Sequence, residues 1–407
     1  MKDTSTDTPI NIMYCEGNTD GTVGGSFFSL LYLVSGLDRN KYNPVVVFHT
    51  EHSLLPRYHE AGIKTLIIER PKPWVASPPE SIIGKLFHPL TRTFQKIFNF
   101  IKFFPLTGLS YARLMRKHDI KLLHLNNSIV KNHDWMLGAR LVGVKCLTHE
   151  RGINRRYSKM ARYFASRIAG IICISNAVKD TLVSHGISDR NISIIYNGID
   201  PGIVKVSQEP SEILGKHGTE DGQIVIGVIG NIKEWKGQET AIRAMPEILA
   251  RYPNVVCYLV GDTSRDDQYY KDRLTGIIRE LGIEKNIVFT GYTTNVANYL
   301  NIMKVVLHTS VAPEPFGRVL IEAMSMKKPL IGTRAGAVPE IIEEGESGFT
   351  FEPGNHHELA EKVLAIISND SLADNMASRG YEIVNSKFNI SNNIAATQKL
   401  YQQILGK

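Results

Sequence analysis

Short runs rich in β-branched and aliphatic residues recur along the chain at Asn11–Cys15, Pro44–Phe48, Lys64–Ile68, Lys121–Leu125, Lys145–His149, Gly170–Ser175 and Ile192–Tyr196. Between several of them the apolar positions fall at helical spacing. A strand buried on both faces needs a continuous apolar run, so the alternation predicts a parallel sheet covered by helices on either side. A polar stretch at Ser207–Gly222 breaks the pattern, which restarts with Ile224–Ile229, Val255–Val260, Ile287–Thr290, Val305–His308 and Pro329–Gly332. The predicted fold class is α/β, with two facing doubly wound domains. The 407 residues exceed one ordinary core and suit two domains of roughly 150–200 residues each. The expected divisions are 9–205, 206–387 and a last helix, 388–407, returning to the first domain.

Each domain opens with a strand that runs into glycine. Ile12–Cys15 leads to Gly17 and then Gly24-Gly25-Ser26, and Ile226–Ile229 leads to Gly230. In doubly wound sheets ligands sit beyond the carboxyl ends of strands, so the pair predicts a ligand in a cleft between the domains. One such glycine alone marks a tight turn more often than a phosphate site.

Composition narrows the class without naming a chemistry. Hydrophobic residues at 43% and charged residues at 21% fit a folded globular chain and exclude disordered and fibrous classes. The four cysteines, Cys15, Cys146, Cys173 and Cys257, each lie in an apolar run, so they read as small core residues. The polar start, Met1–Pro9, is unlike a signal peptide, and no apolar run approaches the ~20 residues of a spanning helix. A cytoplasmic location is expected.

The net charge of +7 is uneven. Glu51–Ile120 carries 11 Lys/Arg against 5 Asp/Glu, and Arg151–Arg167 carries six Lys/Arg and no acid. An anionic partner for the first half is therefore expected. Nucleic acid is not, because the basic stretches carry no recognised binding motif. Pro89–Phe104 is strongly amphipathic, with Leu90, Phe94, Ile97, Phe98, Ile101 and Phe104 on one stripe. That stripe suits either a membrane interface or the first domain's sheet. The basic run 151–167 tips the balance toward an anionic inner-membrane surface, touched through 89–104 and 151–167, and a lipid-linked acceptor.

The densest chemistry lies in Glu314-Pro-Phe-Gly-Arg-Val-Leu-Ile-Glu322, after the strand Val305–His308. Gly317 permits close backbone approach, and the helix beginning there offers amide donors and a positive dipole end to an anion such as a diphosphate. Glu314 lies ahead of those amides and Glu322 about two turns on, so the two carboxylates can meet different hydroxyls of one ligand.

This stretch resembles the E-x7-E motif of glycosyltransferase family 4, a group of retaining enzymes with two facing Rossmann-like domains, the GT-B architecture. Pro329–Glu340, Gly345-Glu-Ser-Gly348, Pro353-Gly354 and Tyr196-Asn-Gly-Ile-Asp200 are similar to family segments in family order. The resemblance implies a retaining hexosyltransferase using a nucleotide-sugar donor and a glycan or lipid-linked acceptor, in bacterial polysaccharide or glycolipid biosynthesis.

The implied catalytic residues are Glu314 at the donor sugar, His149 orienting a sugar hydroxyl, and Lys236 neutralising the leaving diphosphate. The implied donor-binding set is Gly24, Gly25, Gly230, Asn231, Lys236, the amides of Phe316, Gly317, Arg318 and Val319, and Glu322 on ribose. At Asn231 the family uses arginine, so one cation is missing, and Lys233 or Arg318 is expected to compensate. No Asp-x-Asp follows a strand, so no metal site and no metal cofactor are expected. The alternatives are a nucleotide-sugar-binding protein with weak or no turnover, motivated by Asn231, and a sugar-nucleotide epimerase.

Overall fold

A computed structural model of the chain describes residues 8–19, 21, 23–75, 82–202 and 204–406. Most of the polar opening segment lies outside the described residues. The chain divides into two compact units. One comprises Met1–Ile174, Val178–Ile195 and Ile394–Lys407, the other Ser175–Ala177 and Tyr196–Asn393.

The first unit holds β1 (Ile10–Cys15), β2 (Tyr42–Phe48), β3 (Lys64–Ile67), β4 (Leu122–Leu125), β5 (Lys145–Glu150), β6 (Gly170–Cys173) and β7 (Ile192–Ile194), in the order β3-β2-β1-β4-β5-β6-β7. The second holds β8 (Ile224–Ile229), β9 (Val255–Val260), β10 (Ile287–Gly291), β11 (Val305–His308), β12 (Leu330–Thr333) and β13 (Phe349–Phe351), in the order β10-β9-β8-β11-β12-β13. Every pairing within these sheets is parallel. Helices connect the strands, so each unit is a Rossmann-like domain.

The strand order locates the sites. In each sheet the chain winds outward in both directions from the first strand, so the strand order reverses between β1 and β4 and between β8 and β11. Loops leaving such a pair part company and leave a crevice at the carboxyl ends. Gly17 follows β1, Asn126 follows β4, Gly230 follows β8 and the Glu314 loop follows β11.

Burial on both faces explains the continuous apolar strands. All six residues of β9 are buried, and Val255, Cys257 and Leu259 pack with Ile226, Val228, Leu307, Ile331 and Phe351 in the second core. Ile12, Tyr14, Leu30, Val46, Phe48, Leu122, Leu147 and Ile172 form the first, joined by Tyr401. The four cysteines are free and buried.

The last helix is Ile390–Leu405, and from Ile394 onward it belongs to the first unit. Gln398 Oε1 accepts from the Asp38 amide at 2.9 Å, and Tyr401 is fully buried.

The amphipathic segment forms a helix from Ile82 to Ile101, followed by a wider turn, Lys102–Leu106. Leu90, Phe94, Ile97, Phe98 and Ile101 are 66%, 61%, 53%, 44% and 45% exposed, so this stripe does not pack on the sheet. Only Phe104 turns inward, its ring 6.2 Å from that of Phe164. Among the described residues no helix is long and apolar enough to cross a membrane.

Candidate active site

In the second unit the loop from Thr309 to Gly317 joins β11 to the helix Arg318–Ser325. Its carboxylate, Glu314, has three partners on one oxygen. Oε2 lies 2.7 Å from Lys236 Nζ, 3.2 Å from Ser310 Oγ and 3.3 Å from His308 Nε2. Burial alone would raise the Glu314 pKa. The hydrogen bond from His308 and the charge of Lys236 outweigh it and hold the carboxyl at about 2. An ionised carboxylate only accepts, so His308 presents Nε2–H, and its Nδ1 faces the Thr333 hydroxyl at 3.4 Å.

The backbone fixes this arrangement from two sides. Glu314 bridges in parallel with Gly336, and its carbonyl accepts from the Ala337 amide at 2.9 Å. Gly336 has φ +60, and a Cβ there would collide with the Glu314 backbone. On the Lys236 side, Gly237 has φ +65, and a Cβ there would strike the Thr309 carbonyl. The Thr309 hydroxyl donates to the Lys236 carbonyl at 2.9 Å, and the Val311 amide donates to the Trp235 carbonyl at 2.9 Å. These bonds tie the turn Glu234–Lys236 to the Glu314 loop, so the ion pair is preset rather than assembled by long flexible arms.

Gly317 has φ +90, a conformation that favours glycine. Phe316 is buried and anchors the helix start against Tyr196 and Phe388. The opening amides of a helix have no acceptor within it, so this turn, beside the Lys236 ammonium, can receive an anion. Lys236 has two further N–H donors besides the one directed at Glu314. Glu322 is half-buried and 3.2 Å from Arg318. Burial raises its pKa, opposed by Arg318.

Gly230 lies beside Lys236, with φ +147. Asn231 is exposed, and its carbonyl accepts from Gln238 Nε2 at 3.0 Å. Lys233 lies 3.3 Å from Asp267. Each cation expected to stand in for the absent arginine therefore has a carboxylate partner.

In the first unit, Gly24 and Gly25 open the helix Gly25–Ser35 and are exposed. His149 lies near the end of β5, fully buried, and Glu150, beside it in the strand, is pushed up to about 7 by burial, opposed by bonds from Ser128 and the Ile129 amide. Four neighbours escaped sequence reasoning. Glu16 is buried and accepts from Asn126 Nδ2 at 2.6 Å. Arg151 donates to Asn126 Oδ1 at 2.8 Å and approaches His149 Nδ1 at 3.2 Å. His124 Nε2 is 3.3 Å from His149 Nδ1. The signal lay in the strand period: His124 with Asn126 and His149 with Arg151 are spaced by two, which puts both on one face.

Paired Rossmann-like domains with polar groups at both switch points have the architecture of the GT-B glycosyltransferases. The Glycosyl transferases group 1 model matches residues 211–383, and the Glycosyltransferase Family 4 model matches residues 23–202. The chain belongs to glycosyltransferase family 4 and is a glycosyltransferase. It is 22% identical over 328 residues to N-acetyl-alpha-D-glucosaminyl L-malate synthase of Bacillus anthracis, covering 78% of this chain and 84% of that protein. It is 25% identical to the capsular polysaccharide biosynthesis glycosyltransferase CapM of Staphylococcus aureus, over 54% of this chain and 57% of that protein. Among solved structures, Anabaena HepE in complex with UDP superposes with a TM-score of 0.78 at 23% identity, covering 97% of this chain and all of that one.

Proposed function

We propose that the chain is a retaining hexosyltransferase that moves a sugar from a nucleoside diphosphate to an acceptor hydroxyl, in bacterial polysaccharide or glycolipid assembly. The observation that carries this reading is the preset Lys236–Glu314 pair at 2.7 Å, beside the helix start at Gly317. Breaking an anomeric bond drives negative charge onto the leaving diphosphate. A fixed ammonium with helix amides stabilises that charge without a metal. Glu314, ionised throughout the neutral range, holds sugar hydroxyls, Glu322 holds ribose, and His149 orients a sugar hydroxyl. The relatives' own activity as transferases favours transfer over a binding module or an epimerase.

The test is transfer by the purified chain from a panel of nucleoside diphosphate sugars, in the presence of EDTA, with the product linkage read by NMR. The panel begins with UDP-sugars, since HepE was solved with UDP. Release of nucleoside diphosphate with the donor's anomeric configuration kept supports the reading. An inverted linkage, or strict dependence on added divalent metal, overturns it.

The same reading places the first unit on an anionic bilayer, at the inner membrane face, with a glycan or lipid-linked acceptor. Trp74 packs edge-on against Phe94 and Phe98, with centroids 6.0 and 5.8 Å apart. Asn99 clamps the Trp74 backbone, accepting from its amide at 2.9 Å and donating to its carbonyl at 2.8 Å. Between Ser81 and His118 there are seven Lys/Arg and no acid. An exposed aromatic surface on a helix whose charged residues, Lys85, Arg92 and Lys96, are all cations suits anionic headgroups over an apolar interior. The chain should float with vesicles containing phosphatidylglycerol at low salt, and Phe94→Ser with Phe98→Ser should weaken this about tenfold or more. Absence of flotation by folded wild type, or self-association through this face instead, contradicts the placement.

A further inference from the structure

The hydrogen bonds around His149 determine where its proton sits. Arg151 has only N–H donors, so its approach to His149 Nδ1 at 3.2 Å requires that nitrogen to be an acceptor. His149 then carries its proton on Nε2. That atom is buried and has no partner among the described residues. His124 Nε2 faces the same Nδ1 at 3.3 Å. Two unprotonated nitrogens would set lone pair against lone pair, so His124 Nε2 carries a hydrogen and donates. Its Nδ1 must therefore accept, and 2.6 Å away lies the hydroxyl of Tyr401. Having given its proton to His124, Tyr401 receives one from Tyr14 at 3.0 Å.

We infer that Tyr401, on the last helix, is a positioning residue that fixes His124 as a second donor to His149 Nδ1 beside Arg151, so that His149 is held as an Nε2–H hydrogen-bond donor toward substrate and not as a base. The chain of donation runs from Tyr14 to Tyr401, to His124 Nδ1, and from His124 Nε2 to His149 Nδ1, with one proton assigned to every link. All four side chains are fully or almost fully buried, so water does not offer these atoms an alternative partner. Both imidazoles are neutral. Burial, then Arg151, lowers His124 to about 3. Burial, then Arg151 and His124, holds His149 far below its ordinary range. The last helix thus links the end of the chain to the residue proposed at the donor sugar. This inference rests on the transfer reading only for the role of His149, since the tautomer is a property of the protein alone.

Long-range nitrogen–proton correlation spectra of the full chain labelled with 15N-histidine test it, with His124→Gln and His149→Gln assigning the signals. Both residues should show the Nε2–H form near neutral pH. Tyr401→Phe should turn His124 into a tautomer mixture and lower turnover about tenfold while the donor KM moves by less than about twofold. An Nδ1–H signature at His149 in wild type overturns the inference, as does a Tyr401→Phe spectrum identical to wild type. If the spectra are as expected but Tyr401→Phe and His149→Gln both turn over normally, the tautomer assignment stands and the proposed role of His149 falls. Thermal midpoints of the variants show whether folding persists.

Discussion

At the carboxyl end of β11 the polar groups are ordered around an ion pair, whereas at the ends of β4 and β5 two neutral imidazoles are ordered by hydrogen bonds, with the Arg151 guanidinium among the donors. Glu314 is ionised, with Lys236 at 2.7 Å, and the pair is partly open, its side chains 12% and 20% exposed. His124 and His149 are sealed from water and uncharged. The two switch points occupy the same place in matching sheets, yet they solve different problems. The group proposed to answer a developing diphosphate charge keeps its own charge and some solvent access, because an ammonium sealed away unpaired would lose its proton. A group that must present one hydrogen in one direction is better kept neutral, buried and fully specified.

The contrast can be broken most strongly at Glu314. Glu314→Gln should lower transfer about 100- to 1,000-fold, more than Tyr401→Phe, because it removes a charged contact to substrate and loosens Lys236. Assays of both variants at saturating donor check the ranking. The reverse order would mean that the neutral relay, not the ion pair, governs the chemistry.

A smaller effect sharpens the electrostatic side. The folded pKa of Glu314 is depressed to about 2, below the ordinary glutamate range. Its ionisation therefore stabilises the fold above that range, and the contribution is lost as pH falls toward 2. The thermal midpoint of Glu314→Gln should fall furthest below wild type near neutral pH, and the gap should narrow between about pH 5 and pH 3. A gap independent of pH would show that packing, not charge, is what the substitution removes.

Much of this organisation is legible in the chain. Twelve of the strands announce themselves as apolar runs, since strands buried on both faces tolerate little else. β13 does not, because Phe349-Thr-Phe351 is three residues long at a sheet edge and sits among turn residues. The Glu314 loop, Gly317 and Lys236 were readable from local order and from resemblance to the family. Their supports were harder to see. His308 and Ser310 share a face by the two-residue period, but nothing local says that Glu314 folds back over them. Arg151 looked like the first member of an exposed basic run, and Arg155, Arg156, Lys159, Arg162 and Arg167 are indeed exposed. Arg151 is instead drawn in by Asn126, a contact across 25 residues that periodicity cannot encode. Tyr401 lies further still, 277 residues from His124.

In the proposed reaction the second unit binds the donor's diphosphate through Lys236. Isothermal titration of a nucleoside diphosphate into wild type and Lys236→Ala, with circular dichroism confirming both are folded, tests it most directly. Saturable binding by wild type in the presence of EDTA, weakened about tenfold or more in Lys236→Ala, is the expected result. Equal affinity in the two proteins, or binding that appears only with added metal, would contradict it.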